Sequence, residues 1–425
     1  DNTVLIAETG GQNAMIVDST ALAEQVCADV LNSAFDSAGQ RCSALRILCL
    51  QEDIADHMVA MIKGAMDELR VDNPMELTTD VGPVIDAEAQ GNLLAHIEKM
   101  KTAAKSYHQI KLPENADKAT FVAPVLFELD NLNQLQREVF GPVLHVVRYR
   151  AGELDSLLDQ INGKGYALTH GIHSRIDETV NHICNRIEAG NVYVNRNIVG
   201  AVVGVQPFGG HGLSGTGPKA GGPFYLQRLC RLNGWVQPEL TKIGEADEAA
   251  LKRIEAVLHT LPLNQQEKLA AAAALGQARF RTLRNAEAVL PGPTGERNAA
   301  SWRAPKRVWL YGGGLAASVN ALAQLAASGI TAVVSDQHPL AAYSGQLDGL
   351  LEVSATPASS AISHVAALEP LPAELKQALA ESGGPLIRIL PSENGLDILQ
   401  VFEEISCSIN TTAAGGNASL MAMGD

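Results

Sequence analysis

The stretch Glu8-Thr9-Gly10-Gly11-Gln12-Asn13-Ala14-Met15-Ile16-Val17-Asp18-Ser19-Thr20 decides the fold class, read with the later run Gly39-Gln40-Arg41-Cys42-Ser43-Ala44-Leu45-Arg46-Ile47-Leu48-Cys49-Leu50. Ala14 to Val17 is a short apolar run bounded by turn residues and reads as a strand. Ser19 or Thr20 can cap a helix from Ala21 to about Ala38, and Gly39 stops it. Leu45 to Leu50 is the next strand, so Cys42 falls in the turn before it. The pattern repeats further along. Helices are expected from about Glu52 to Leu69 and from Asp86 to about Lys105, and strands over Phe121 to Phe127 and Val143 to Val147. The turn Glu138-Val139-Phe140-Gly141-Pro142 lies between those strands. Such alternation predicts an α/β fold, a largely parallel sheet covered by helices on both faces.

Composition bounds the function. A chain of 425 residues is long enough for two or three domains, each with its own core. A net charge of -15 argues against a general nucleic-acid or anionic-membrane surface, since both need clustered Lys and Arg. The six cysteines (Cys27, Cys42, Cys49, Cys184, Cys230 and Cys407) form no C-x-x-C pair and have no His at metal-ligand spacing. That pattern suits a reducing compartment, and no metal site is expected. With no apolar stretch of membrane-spanning length and no signal peptide, the sequence reads as cytoplasmic.

Cys42 and Glu8 are the chemical pair to weigh. Taken alone, a Cys is usually a small buried hydrophobe and a Glu a solvated surface charge. A thiol among Gly, polar and Arg neighbours differs, because nearby positive charge favours the thiolate that attacks electrophiles. Cys42 is therefore the candidate nucleophile and Glu8 its candidate base.

Five motifs in order carry a family resemblance: Glu8 to Asn13, Gly39 to Cys42, Glu138 to Pro142, Gly171-Ile172-His173-Ser174-Arg175 and Pro207-Phe208-Gly209-Gly210. Their order and approximate spacing resemble the aldehyde dehydrogenase superfamily. The run Asn195 to Gly210, followed by Gly212 to Pro223, closely resembles the L-glutamate γ-semialdehyde dehydrogenase part of the bacterial proline utilization A family. The resemblance implies that Cys42 forms a thiohemiacetal and then a thioester, and that Glu8 activates the hydrolytic water. It implies that Glu138 and Phe140 contact the nicotinamide ribose and ring of NAD. It places Gly200 and Ala201 in a substrate-anchoring loop, Ser43 beside the nucleophile, and Phe208 as an aromatic wall. In the family the main dinucleotide-binding domain and an oxyanion-holding Asn precede the position of Glu8. The chain is accordingly expected to be a fragment lacking both, with weak or no NAD binding of its own.

The resemblance also implies a parent chain with a separate proline dehydrogenase domain, where FAD would reside, a homo-oligomeric assembly, and a cytoplasmic parent that can lie peripherally at the inner membrane. Readings as a dehydrogenase of another semialdehyde, or as an inactive assembly fragment, stay open.

Composition shifts after Trp235-Val236-Gln237-Pro238, suggesting a catalytic region over 1–235, a helical connector over 236–300 and a C-terminal domain over 301–425. Asn264 to about Asn285 reads as helix. Arg307 to Tyr311 reads as a strand entering Gly312-Gly313-Gly314-Leu315-Ala316-Ala317, which opens a helix, and Thr331 to Val334 is a second strand leading to Asp336. This is the outline of a dinucleotide fingerprint. The sequence shows no second half-fold to complete its crevice, and the region lacks a matching Cys and Glu pair, so a structural or interaction role is expected. Ser408 to Met421 faintly echoes Val192 to Gly210, which makes the C-terminal region look like a degenerate copy of the dehydrogenase architecture. Cys407, in apolar surroundings, reads as a core thiol.

Overall fold

A computed structural model describes residues 4–114, 116–230, 234–356 and 362–412. The chain forms two compact units and passes between them more than once. The first comprises the described residues of Glu8–Gly215, Pro291–Asn298 and Ser406–Asp425, and the second those of Asp1–Ala7, Thr216–Leu290 and Ala299–Ile405. These limits differ from cuts at 235 and 300.

In the first unit the elements are β1 Ala14–Val17, α1 Ala23–Phe35, β2 Ile47–Gln51, α2 Glu52–Asp67, α3 Ala87–Ala103, β3 Ser106–Gln109, β4 Val125–Glu128, β5 Val143–Tyr149, α4 Leu154–Asn162, β6 Tyr166–Ala167, β7 Thr169–His173, α5 Asp177–Arg186, β8 Asn191–Val194 and β9 His211–Gly212. The last described strand, Glu403–Asn410, joins the same sheet through its second half. Strand order is last strand, β8, β7, β1, β2, β5, β4, β3. Every neighbouring pair is parallel except β3 with β4. All residues of β1 and β2 are buried, as expected of central strands covered on both faces. In α2 the buried residues Ala55, Met58, Val59, Ile62 and Met66 recur at helical spacing, a face that joins this core.

Two local expectations fail for identifiable reasons. Thr20 does not cap α1, because its amide and hydroxyl both bond to Asp18 Oδ1, at 2.7 and 2.6 Å. The strand expected from Phe121 begins only at Val125, after Pro124, which has no N–H to donate to a ladder. The faint echo near residue 408 has a structural counterpart. Ser406–Ile409 lies parallel to Asn191–Val194, with Cys407 half-buried opposite Val192. The remainder of the echo, from residue 413, lies outside the described residues.

The second unit contains α6 Tyr225–Leu229, α7 Glu248–Leu258, α8 Gln265–Arg281, β10 Glu287–Leu290, the end of β11 Glu296–Arg303, β12 Arg307–Tyr311, α9 Leu315–Ala327, β13 Thr331–Val334, β14 Leu351–Val353, β15 His364–Ala367, α10 Ala373–Ala380 and β16 Arg388–Pro391. Asn264 caps α8 in a reciprocal capping box with Glu267. Strands β12 to β16 make an all-parallel sheet in the order β14, β13, β12, β15, β16. The half-fold absent from the sequence reading is thus present: β15 and β16 complete the sheet on the far side of β12. The reversal of strand order puts the Gly312 turn at a topological switch point. Sequence could not show this, because β14, β15 and β16 are short and their order is a tertiary property.

Candidate active site

The cysteine turn is built by left-handed backbone. After α1, Ser37 and Ala38 have φ of 53° and 54°, and Gly39 has φ of 64°. A Cβ on Gly39 would lie 2.3 Å from the Gly141 carbonyl oxygen, so only glycine fits this approach. Arg41 O accepts from Ala44 N at 3.0 Å and closes the turn that leaves Cys42 exposed. Asn13, at the entry to β1, holds this turn from inside. Its buried Nδ2 donates to Cys42 O at 2.7 Å and Ala44 O at 2.8 Å, while its Oδ1 accepts from Thr169 N at 3.1 Å.

Arg46 joins the cysteine turn to the motif around Glu138. It is 1% exposed. One guanidinium nitrogen donates to Gly39 O at 2.6 Å and Gly141 O at 3.1 Å, and the other to Arg41 O at 3.1 Å and Glu138 Oε1 at 3.3 Å. Its plane also lies 5.2 Å from the centroid of the Phe140 ring. Glu138 Oε2 accepts from Gly11 N at 3.1 Å. Burial pushes the Glu138 carboxyl up, and Arg46 and the Gly11 N–H oppose that.

The thiol differs from expectation. Its pKa lies above the ordinary value, first because the sulfur is partly withdrawn from water, with the Glu8 and Glu138 carboxylates adding to the rise and the Ser43 N–H opposing it. The neighbouring arginines do not reverse this. Arg41 pairs with Asp36 at 3.0 Å and donates to Ser37 Oγ at 3.0 Å, and Arg46 is committed to carbonyls and Glu138. Glu8 is exposed, pairs through its backbone with Gly215, and is near enough for its charge to act on the thiol. Ser43 is buried, its carbonyl accepting from Thr169 Oγ1 at 3.2 Å.

Gly200 is exposed with φ of 75°, and Arg41 Nη1 lies 4.0 Å from where its Cβ would be. A cationic group therefore flanks the anchor loop. Ala201 follows, half-buried, and Phe208 is also half-buried. Their loop is fastened by groups that sequence reasoning missed. Gln206 Nε2 donates to Glu296 Oε1 at 3.0 Å and Ser408 Oγ at 3.2 Å, while its Oε1 accepts from Val202 N at 3.2 Å. Arg196 pairs with Glu296 and donates to Ser408 Oγ at 2.8 Å. Pro207 O, immediately before Phe208, accepts from Asn191 Nδ2 at 2.9 Å and Ser406 Oγ at 2.7 Å. The structure thus brings Cys42, Ser43, Glu8 and Glu138 together, sets Phe140 on Arg46, and places Gly200 beside Arg41. Ala201 and Phe208 take their positions from the loop's own fastenings. Arg46 had a signal, a charge entering an apolar strand. Glu296 and Ser408 had none.

The structure thus places an exposed cysteine on a clamped turn, within reach of a carboxylate and a second acidic motif on a parallel sheet. Residues 2–233 match the aldehyde dehydrogenase family, and the chain belongs to that family. Within it, the chain is 46% identical over 448 residues to the bifunctional protein PutA of Escherichia coli K12, across 99% of this chain and 33% of the relative. It is 36% identical over 226 residues to the 1-pyrroline-5-carboxylate dehydrogenase of Geobacillus kaustophilus, across 52% of this chain and 43% of that one. A crystal structure of bifunctional proline utilization A superposes with a TM-score of 0.51 at 60% identity, covering 53% of this chain and 23% of that one. Proline utilization A from Corynebacterium freiburgense shares the fold, with a TM-score of 0.70 at 24% identity over 95% of this chain and 39% of that one. The chain spans about a third of the length of the PutA relative from Escherichia coli.

Proposed function

We propose that this chain is the catalytic portion of an NAD-dependent dehydrogenase that oxidises L-glutamate γ-semialdehyde, derived from 1-pyrroline-5-carboxylate, to L-glutamate. The observation that carries the reading is the exposed Cys42 on a turn clamped by Asn13, with Glu8 in electrostatic reach. Cys42 sulfur loses its proton and bonds to the aldehyde carbon, leaving an oxyanion on the former carbonyl oxygen. Bound beside Glu138 and Phe140, a nicotinamide cofactor would supply the hydride acceptor by which the carbon held on Cys42 reaches the thioester level. Glu8 then takes a proton from water, the water oxygen bonds to the thioester carbon, and the carbon–sulfur bond breaks to release a carboxylic acid.

Glu138 and Phe140 suit the nicotinamide ribose end of that cofactor. The carboxylate uses one contact per oxygen on Gly11 and Arg46, which leaves lone pairs for ribose hydroxyls, and the ring of Phe140 is 46% exposed. At the other end of the substrate, the Gly200 to Ala201 loop offers backbone N–H groups, with Arg41 beside it, to a carboxylate. Ser43 and Phe208 complete the pocket for the aliphatic part. The likeness to PutA and to a 1-pyrroline-5-carboxylate dehydrogenase supports this substrate. The same reading gives a cytoplasmic parent chain with a proline dehydrogenase domain that carries FAD, assembled as a homo-oligomer and peripheral at the inner membrane.

The test is kinetic, on the longer parent polypeptide. Cys42→Ala should lower NAD-dependent oxidation of glutamate semialdehyde roughly 10⁴-fold or more. Glu8→Gln should give a burst of reduced cofactor without steady turnover, as the thioester accumulates. Turnover that survives Cys42→Ala would exclude the mechanism. A preference for succinate semialdehyde over glutamate semialdehyde would exclude the substrate.

A further inference from the structure

The second unit holds a cavity of about 660 Å³ at the switch point after β12, within the size range of small-molecule sites. It lies apart from Cys42 in sequence and stands independently of the dehydrogenase reading. Its floor is apolar: Trp309 of β12, with Leu375 and Leu379 of α10, all belonging to one cluster on that side of the sheet. Its polar rim comes from the C-terminal ends of two strands. Ser335 and Gln337 follow β13, and Glu369 follows β15 across the glycine turn.

Two features decide what the cavity can take. The first is Glu369, an exposed carboxylate that leans over the turn where a dinucleotide's pyrophosphate would approach. Its Oε2 lies 3.0 Å from the position of a Cβ on Gly312. The second is the absence of any Lys or Arg among the described lining residues to offset that charge. His338 supplies no cation either. Its Nε2 is 3.1 Å from Gly312 O, its Nδ1 accepts from Leu340 N at 3.2 Å, and burial keeps the ring below its ordinary pKa. A phosphate would therefore meet an unscreened negative charge, whereas a pair of hydroxyls would meet an acceptor with free lone pairs.

We infer that this crevice binds a nucleoside without phosphates, its base against Trp309 and Leu379 and its ribose hydroxyls donating to Glu369. The glycine turn keeps the geometry of a nucleotide fold, while the carboxylate has exchanged phosphate for sugar recognition.

Isothermal titration of the 425-residue chain with adenosine, AMP and NAD tests this directly. Adenosine should saturate one site, AMP should bind at least about tenfold more weakly, and NAD no more tightly than AMP. Glu369→Gln should weaken adenosine about tenfold and narrow its gap to AMP. Ala378→Trp, at an exposed position on the cavity wall, should abolish adenosine binding while leaving the circular dichroism spectrum unchanged. No saturable adenosine binding, AMP or NAD binding as tightly as adenosine to the unmodified chain, or an unaltered Glu369→Gln titration would each overturn the inference.

Discussion

Two glycine turns, one in each unit, show how similar backbones acquire different chemistry. Gly39 and Gly312 both have positive φ, 64° and 66°, at a junction between helix and strand. At the first, a buried arginine gathers three carbonyls and a carboxylate around an exposed thiol. At the second, a carboxylate lies over the turn, and no Lys or Arg is among the described residues that line the cavity beside it. The glycine permits close approach in both. What approaches decides the chemistry.

The largest expected contrast is in acid. In the first unit burial holds His145 and His170 down to about 3 and His96 and His173 to about 4, far below the ordinary value near 6.5. Because the folded pKa values are depressed, the unfolded state takes up protons that the native state refuses. Stability is complete above about pH 6.5 and falls as pH drops toward 4, mostly through the fully buried His145, His170 and His173. Asp29, raised to about 6 by burial, and the raised Glu138 act in the opposite direction and offset part of the loss. In the second unit the depressed His338 and His364 are set against the raised carboxyls Glu403 and Glu404. Hydrogen exchange between pH 7 and 5 should show the first unit losing protection before the second. Equal loss in both would remove the contrast.

Next in size is the arginine brace. Arg46→Met leaves Glu138 buried without its cation and should destabilise the chain by about 3–5 kcal/mol in urea titration. Adding Glu138→Gln to it should recover part of that loss, and strict additivity of the two changes would show that they do not act as a pair.

Alanine at the two glycines gives the smaller effects. Gly39→Ala would force a Cβ against the Gly141 backbone and should cost about 2–4 kcal/mol. At Gly312 the nearest atoms belong to the Glu369 side chain, which can move, so Gly312→Ala should cost about 1–2 kcal/mol. Matched unfolding curves for the two variants would show that backbone and side-chain neighbours resist alike.

Much of the first unit was legible because its signals are local. β1 and the strand after Cys42 follow from short apolar runs and punctuating residues, whereas α1 ends at Phe35, before the left-handed Ser37 and Ala38, and not at Gly39. Cys42 and Glu8 stood out as candidates for the same reason, each lying inside a dense motif. The acidity of the thiol was misread, since withdrawal of the sulfur from water and the nearby Glu8 and Glu138 carboxylates raise its pKa, while the adjacent Arg41 pairs with Asp36. Gln206, Glu296 and Ser408 were invisible as a group, because hydrogen bonding across such sequence separations leaves no pattern.

The sequence by itself determined the α/β alternation and the family, because periodicity and motif spacing are properties of neighbouring residues. Only the tertiary structure decided where charge lies around Cys42, which C-terminal strand supports the anchor loop, and that the Gly312 turn faces a complete crevice. Each of those depends on strand order and side-chain direction, which are fixed by packing between segments far apart in the chain.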